Sequence, residues 1–406
     1  VTADARAEHA ARASYGRLLA ILAAPSGDIP SAEDALADAF ERALLRWPVD
    51  GVPANPEAWL LTVARNRLRD EWRSSAHRLA APLLDVHAVI DDVDAEEIPD
   101  KRLALMFVCA HPAIDPGIRT ALMLQTVLGF DARQVAEAFG IPAPAMAQRL
   151  VRAKRRVRDA RIPFVVPGVP DMPARLPPVL EAVYGAYAID WQVVSGETPR
   201  ESLAHEAHYL ATVLAALLPR EPEVLGLAAL IGYSLSREAA RRSADGCLVP
   251  LDEQDTTLWN RTLIDSSERH LVAAHGLGRI GRFQLEAAIQ SVHSARASGR
   301  AVDWLRLRDL HAALVRVAPT LGARVSFAVT IARTSGTAAG LAVLDELAAD
   351  SGRFQPAWAV RAHLLAEAGE PDAAAAAYAK AISLTTDAPS RELLRRRAAE
   401  LTPRGR

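Results

Sequence analysis

Apolar side chains recur along most of this chain at intervals of three and four residues, the spacing that gathers them on one face of an α-helix. Leu36, Phe40 and Leu44 form one such series, and Trp59, Leu60, Val63 and Leu68 form a second. The two series predict helices that bury these residues against each other, the first opened by Ser31 and Asp34 as an acidic capping arrangement. Val135, Ala136 and Phe139, then Met146, Leu150, Ala153 and Val157, make two further stripes with Gly140-Ile-Pro142 between them. From Leu176 to Leu401 the same spacing continues as a series of amphipathic helices punctuated by Pro and Gly. The pattern predicts an all-α protein.

Interruptions in the pattern mark the expected domain limits. Residues 1–78 make a compact helical module that ends in a basic segment. Residues 79–100 carry Asp85, Asp91, Asp92, Asp94, Glu96, Glu97 and Asp100 and no Lys or Arg, as expected of a solvated acidic linker. Residues 101–162 form a second helical module with a strongly basic end. Pro163, Pro167, Pro170 and Pro173 then exclude a continuous helix, so 163–175 is expected to be a linker and 176–406 a helical extension. Within the extension, Ser326–Leu347 and Trp358–Ile382 each follow the order helix, glycine turn, helix. Their turn glycines, Gly336 and Gly369, stand 33 residues apart, close to the tetratricopeptide period of about 34 residues. Ala377 and Tyr378 suit the small-and-aromatic packing of such a repeat, and Leu203–Leu218 with Glu223–Arg242 make a looser pair. A tetratricopeptide-like (TPR-like) array and a generic α-helical domain both fit this pattern.

Composition narrows the function classes. The 406 residues are 50% hydrophobic, 24% charged and only 5% aromatic, as expected of two or three soluble domains rich in helix formers. The formal net charge of −2 assigns no polyanionic partner to the whole chain, so any affinity for DNA rests on local basic clusters. Cys109 and Cys247 stand far apart and offer neither a metal-ligand spacing nor a disulfide framework. No apolar run reaches the roughly 18 residues of a membrane helix, and no signal-peptide core opens the chain. The expectation is a cytoplasmic protein with no membrane partner.

The sharpest local feature is Asp131-Ala-Arg-Gln-Val-Ala-Glu-Ala-Phe139, a Gly140-Ile-Pro142 turn, and a helix from about Ala143 to Ala160. Asp131 is placed to cap the first helix, Gly140 permits the turn and Ile141 fills the angle, which together read as a helix-turn-helix. The second helix carries Gln148, Arg149, Arg152, Lys154, Arg155, Arg156 and Arg158 against one acid, Asp159. Such a helix can enter a major groove, with Gln148 and Arg149 within reach of bases and Arg152, Arg155 and Arg156 suited to the backbone as well. In the first module Arg65, Asn66, Arg69 and Arg73 lie to one side of the Trp59–Arg73 helix, an amide among arginines that also suits nucleic acid.

The Ala32-Glu-Asp34 helix, the segment Ala58-Trp-Leu-Leu-Thr-Val-Ala-Arg-Asn-Arg67 and the later helix-turn-helix, in this order and spacing, resemble the sigma2 and sigma4 domains of extracytoplasmic-function (ECF) sigma factors. Trp47–Pro56, Phe107–Pro112, Met146–Lys154, Gly281–Ile289 and Ala338–Asp345 resemble segments of an ECF group with a tetratricopeptide-like extension. The resemblance implies core RNA polymerase and promoter DNA as partners, through the β′ clamp helices and the β flap. It implies polymerase docking by Asp34, Asp38, Phe40 and Glu41, −10 capture by Arg65, Asn66, Arg69 and Arg73, and −35 reading by Gln148, Arg149, Arg152, Arg155 and Arg156. The acidic linker would thread the polymerase channels, and an unidentified protein would bind the regulatory extension.

Enzyme signatures are weak by comparison. His205-Glu-Ala-His208 spaces its histidines three apart where a metalloprotease helix needs four. Cys109 and His111 read as a buried thiol and a capping imidazole at a helix end. No phosphate loop or serine elbow occurs, so no catalytic residue, metal or cofactor is expected.

Overall fold

The computed structural model describes residues 14–79, 98–168, 171–192 and 201–401. Among them the regular structure is helical, with one isolated bridge between Arg242 and Leu248, and the protein is all-α. Residues 80–97, the greater part of the expected acidic linker, lie outside the described residues. By its internal contacts the chain divides into two compact units, Val1–Ile189 and Asp190–Arg406.

The first unit opens with helix α1 (residues 14–23), followed by α2 (Ile29–Asp50) and α3 (Pro56–Leu79). Next come α4 (Ile98–Cys109), α5 (Pro116–Thr126), α6 (Ala132–Ala138), α7 (Ala143–Asp159) and α8 (Met172–Gln192). Helix α2 starts three residues earlier than the Ser31 cap predicts. Asp28 is the N-cap, its carboxylate accepting from the Ser31 backbone N–H at 3.3 Å and the Ser31 hydroxyl at 3.0 Å, so Ser31 lies inside the first turn. The buried stripe of α2 is Ala32, Leu36, Ala39, Ala43 and Trp47, and Trp47 meets Trp59 of α3 edge to face at 5.6 Å. Leu44, expected in this core, is 49% exposed. Each four-residue step advances the side chain by about 40° around the helix, so two steps from Leu36 carry Leu44 off the buried face. Leu60 and Leu68 of α3 are buried as the spacing predicts, Trp59 and Val63 are half-buried, and Ala64 joins the core. At Gly16 of α1 a Cβ would collide with the Val127 carbonyl at the end of α5, so glycine lets α1 lie backbone to backbone against the second half of the unit.

The second unit is built on α10 (Pro222–Leu235), preceded by α9 (Glu201–Leu217). Every residue of α10 except the half-buried Glu223 is buried, and it packs against α9, α11 (Arg261–Gly276) and α12 (Arg282–Ser294). A helix apolar all round can only be a central one. Two glycines set how closely its neighbours approach. A Cβ on Gly226 would lie 2.6 Å from the Gln284 backbone nitrogen, and one on Gly281 would overlap the Glu223 carboxylate. That carboxylate accepts from the Phe283 and Gln284 backbone N–H groups at 3.0 and 3.2 Å. It thereby satisfies two orphan donors of α12 and places negative charge at the positive end of that helix.

Four further helices continue the unit: α13 (Trp304–Val317), α14 (Leu321–Ser335), α15 (Thr337–Glu346) and α16 (Gln355–Glu367). The last two are α17 (Pro371–Leu384) and α18 (Ala388–Glu400). From α12 onward their contacts run mainly between neighbours in sequence, so each helix buries its face against the one before and the one after. Gly336, at φ 97°, makes the turn between α14 and α15, where Gly340 comes so close to Ala332 that a Cβ would approach its Cβ to 2.6 Å. Ala362 and Leu364 of α16 are buried with Ala377 and Tyr378 of α17. We expect Gly226→Ala to lower the stability of this unit by about 1–3 kcal/mol, because the new methyl meets backbone that cannot swing aside. A lower urea midpoint would register it.

Candidate nucleic-acid interface

Helices α6 and α7 and the four residues between them contain the basic cluster. Asp131 caps α6 with a complete capping box, its carboxylate accepting from the Gln134 backbone N–H at 2.7 Å and the Gln134 amide oxygen accepting from the Asp131 N–H at 2.9 Å. Gly140, at φ 63°, turns the chain, and Ile141 is half-buried in the angle. Phe139, expected in the buried stripe, is 38% exposed. Helix α6 stops at Ala138, so Phe139 has already left its periodicity.

Helix α7 buries Met146, Leu150, Ala153 and Val157. At about 100° per residue, Gln148, Arg152 and Arg155 fall opposite that stripe within roughly 60° of one another, and all three are exposed. Arg149 and Arg156 flank the stripe instead. Arg149 donates to the Gly117 carbonyl at 3.1 Å and Arg156 to the Ala113 carbonyl at 3.4 Å. Arg119 donates to the Ile114 and Pro112 carbonyls at 3.0 and 3.3 Å. Three guanidinium groups thus converge on the turn that joins α4 to α5 and on the first turn of α5.

The same turn explains Cys109 and His111. Cys109 is fully buried, its Sγ 3.5 Å from the Thr126 hydroxyl, and burial pushes its thiol up to about 12. His111 Nδ1 accepts from the Ala113 backbone N–H at 3.1 Å, and desolvation, with Arg175 and Arg119 nearby, holds the ring below its ordinary value. Neither group is placed for chemistry. In the second unit His205 faces Glu238 at 3.4 Å, and no group of three or more metal-ligating side chains occurs among the described residues.

On α3, Asn66 and Arg73 are exposed and Arg65 and Arg69 half-buried. On α2, Asp34 and Glu41 are exposed, Phe40 is half-buried, and Asp38 pairs with Arg42 at 3.0 Å. Beyond them Leu44, Leu45 and Val49 are 49%, 70% and 84% exposed, extending the acidic patch as an apolar ridge.

Lys154 behaves differently from the other cations of α7. With 9% of its side chain exposed, it donates to both Glu33 carboxylate oxygens, at 2.6 and 2.7 Å. Glu33 lies on α2 and also bonds the Tyr15 hydroxyl. Burial raises the pKa of Glu33, and Lys154 pulls it back toward the charged form. Arg158, one turn further on, stands 3.9 Å from Asp28, the α2 N-cap. The sequence counted Lys154 with the outward cations. The sign of its true place was its position four residues after Leu150 and three before Val157, on the edge of the apolar stripe, where a cation needs a buried acid.

Replacing Lys154 with Met should destabilise the first unit by about 3 kcal/mol, because Glu33 is left buried without its cation. Adding Glu33→Gln should recover most of the loss, and the midpoints of urea unfolding would measure both.

The sigma-70 region 2 family matches residues 11–78, and a family of unknown function, DUF6596, matches residues 175–275. An uncharacterized protein of Rhizobium meliloti is 34% identical over 366 residues, 88% of this chain and 86% of that one. The probable ECF RNA polymerase sigma factor SigI of Mycobacterium tuberculosis is 30% identical over 146 residues, 34% of this chain and 49% of its own. The ECF RNA polymerase sigma factor SigL of the same organism is 30% identical over 134 residues, 33% of this chain and 76% of its own. No solved structure matches.

Proposed function

This chain belongs to the ECF family of RNA polymerase sigma factors, and we propose that it binds core polymerase and directs it to promoters by reading −35 and −10 elements. The observation that carries this reading is the outward face of α7, where Gln148, Arg152 and Arg155 stand together and exposed, in a unit that also holds the region 2 match. A glutamine amide can pair with an adenine edge and an arginine with a guanine edge in the major groove. The helix-turn-helix of α6 and α7 would read the −35 element in this way. Arg149 and Arg156, engaged with the carbonyls of Gly117 and Ala113, would hold the reading helix on its support and reach DNA only by exchanging those bonds.

Helix α3 would serve the −10 element, with Asn66 and Arg73 meeting unpaired bases and backbone first and Arg65 and Arg69 lining the approach. Asp34, Asp38, Phe40 and Glu41 of α2, with the ridge of Leu44, Leu45 and Val49, would dock the β′ clamp helices. An apolar patch with a charged rim suits a protein partner. The second module would meet the β flap, and the acidic segment 79–100 would thread the polymerase channels. Bond making in RNA synthesis would stay with the polymerase. The second unit, with its tetratricopeptide-like stack of helix pairs, would be the regulatory part, offering helix faces to an unidentified protein partner. These roles correspond to domains at 1–78 and 101–162 and an extension at 176–406.

The test is transcription by purified core polymerase with the full chain, from the promoter upstream of its own operon. Specific transcripts are expected, falling at least about tenfold in Arg152→Ala/Arg155→Ala, since each lost base or phosphate contact costs about 1–3 kcal/mol. Tight promoter binding without polymerase, and no initiation with it, would show a helix-turn-helix regulator instead.

A further inference from the structure

We propose that the second unit binds a small zwitterion, an α-amino acid or a dipeptide, in a cavity between α10, α11, the end of α12 and the start of α13. The inference concerns this unit alone and does not depend on the proposed reading of −35 and −10 elements. It adds a small-molecule site to the protein partner proposed for the helix faces.

The cavity has a volume of about 570 Å³, within the range of roughly 300–1,000 Å³ usual for small-molecule sites. Charges of both signs line it: Asp265 and Glu268, three residues apart on α11, and Arg300 and Arg306, before and within the first turn of α13. Among the described residues none of these four side chains makes an ion pair, either with another of the four or with any other group. Asp303 is already committed, because it caps α13 by accepting from the Arg306 backbone N–H at 2.9 Å. Two carboxylates and two guanidinium groups that share one space without touching match a molecule that carries both charges at a separation. A simple cation or a simple anion would leave one pair unmatched.

The site is also built in advance. Glu268 Oε2 accepts from the Tyr233 hydroxyl and, at 3.0 Å, from the Ser291 hydroxyl, which leaves Oε1 for an incoming ammonium group. Tyr233 is 0% exposed, so the carboxylate is held from the core of the unit, as a binding group must be if it is to act without reorganisation. Ser294, 3% exposed, lines the same cavity, and its Oγ has no hydrogen-bond partner. A buried hydroxyl without a partner is unfavourable and is satisfied when a bound polar group supplies one. The ammonium group of the ligand goes to Glu268 and Asp265, and its carboxylate to Arg300 and Arg306, whose planar guanidinium groups suit a carboxylate. Occupancy ties the central helices of the unit to the first helix of the stack.

The test uses the full chain and a panel of the common α-amino acids and their glycyl dipeptides, screened by thermal unfolding and then measured by isothermal titration calorimetry. At least one member is expected to bind saturably at neutral pH and to raise the unfolding temperature. Its N-acetyl derivative, which lacks the ammonium group, and its amide, which lacks the carboxylate, should each bind at least about tenfold more weakly to the native protein. The same loss is expected for the unmodified ligand with Arg300→Gln/Arg306→Gln and with Asp265→Asn, all at exposed positions. No saturable binding by any member at millimolar concentrations would overturn the site. Equal binding of either singly charged derivative would overturn the zwitterion, and an affinity unchanged in both variants would place the ligand outside this cavity. The derivatives need no substitution, so that arm decides the ligand class even where a variant fails to fold.

Discussion

One largely buried ion pair joins the two modules of the first unit. Lys154 and Glu33 come from helices more than a hundred residues apart in sequence, and each would be costly to bury alone. Charge inside a protein is tolerated when it is paired and hydrogen-bonded, and here the lysine reaches both carboxylate oxygens while the Tyr15 hydroxyl adds a third bond. The pair thereby ties α2 of the first module to α7 of the second.

The outward face of α7 follows from what the rest of the helix is required to do. Four residues fill the core, Lys154 and Arg158 face α2, and Arg149 and Arg156 bond carbonyls of the first turn of α5 and of the turn before it. Gln148, Arg152 and Arg155 are left for a partner. Seven polar and charged residues on one helix therefore divide into three tasks, of which only one faces outward.

In the second unit the controlling constraint is steric. Helix α10 has no polar face, and its neighbours approach until backbone meets backbone at Gly226. The Glu223 carboxylate that caps α12 occupies the space a side chain at residue 281 would need. The segment Gly281–Ile289 thus has a structural reason for its composition. Beyond it, stacking between successive helices lets the unit grow by helix pairs, with Gly336 and Gly340 fixing one turn and one close crossing.

The sequence pattern was enough to determine the helical class, the positions of most helices and the cap at Asp131, because these depend on neighbours three and four residues away. It also placed the basic cluster on a single helix. It misjudged Ser31 as a cap and put Leu44 and Phe139 in the core, since a one-residue shift in a helix start or end rotates side chains that spacing alone cannot track. It could not separate Lys154 from the arginines around it. That division was decided by which acids and carbonyls the tertiary fold brought within reach, through contacts across 32 to 121 residues of chain, a distance over which local pattern carries no information.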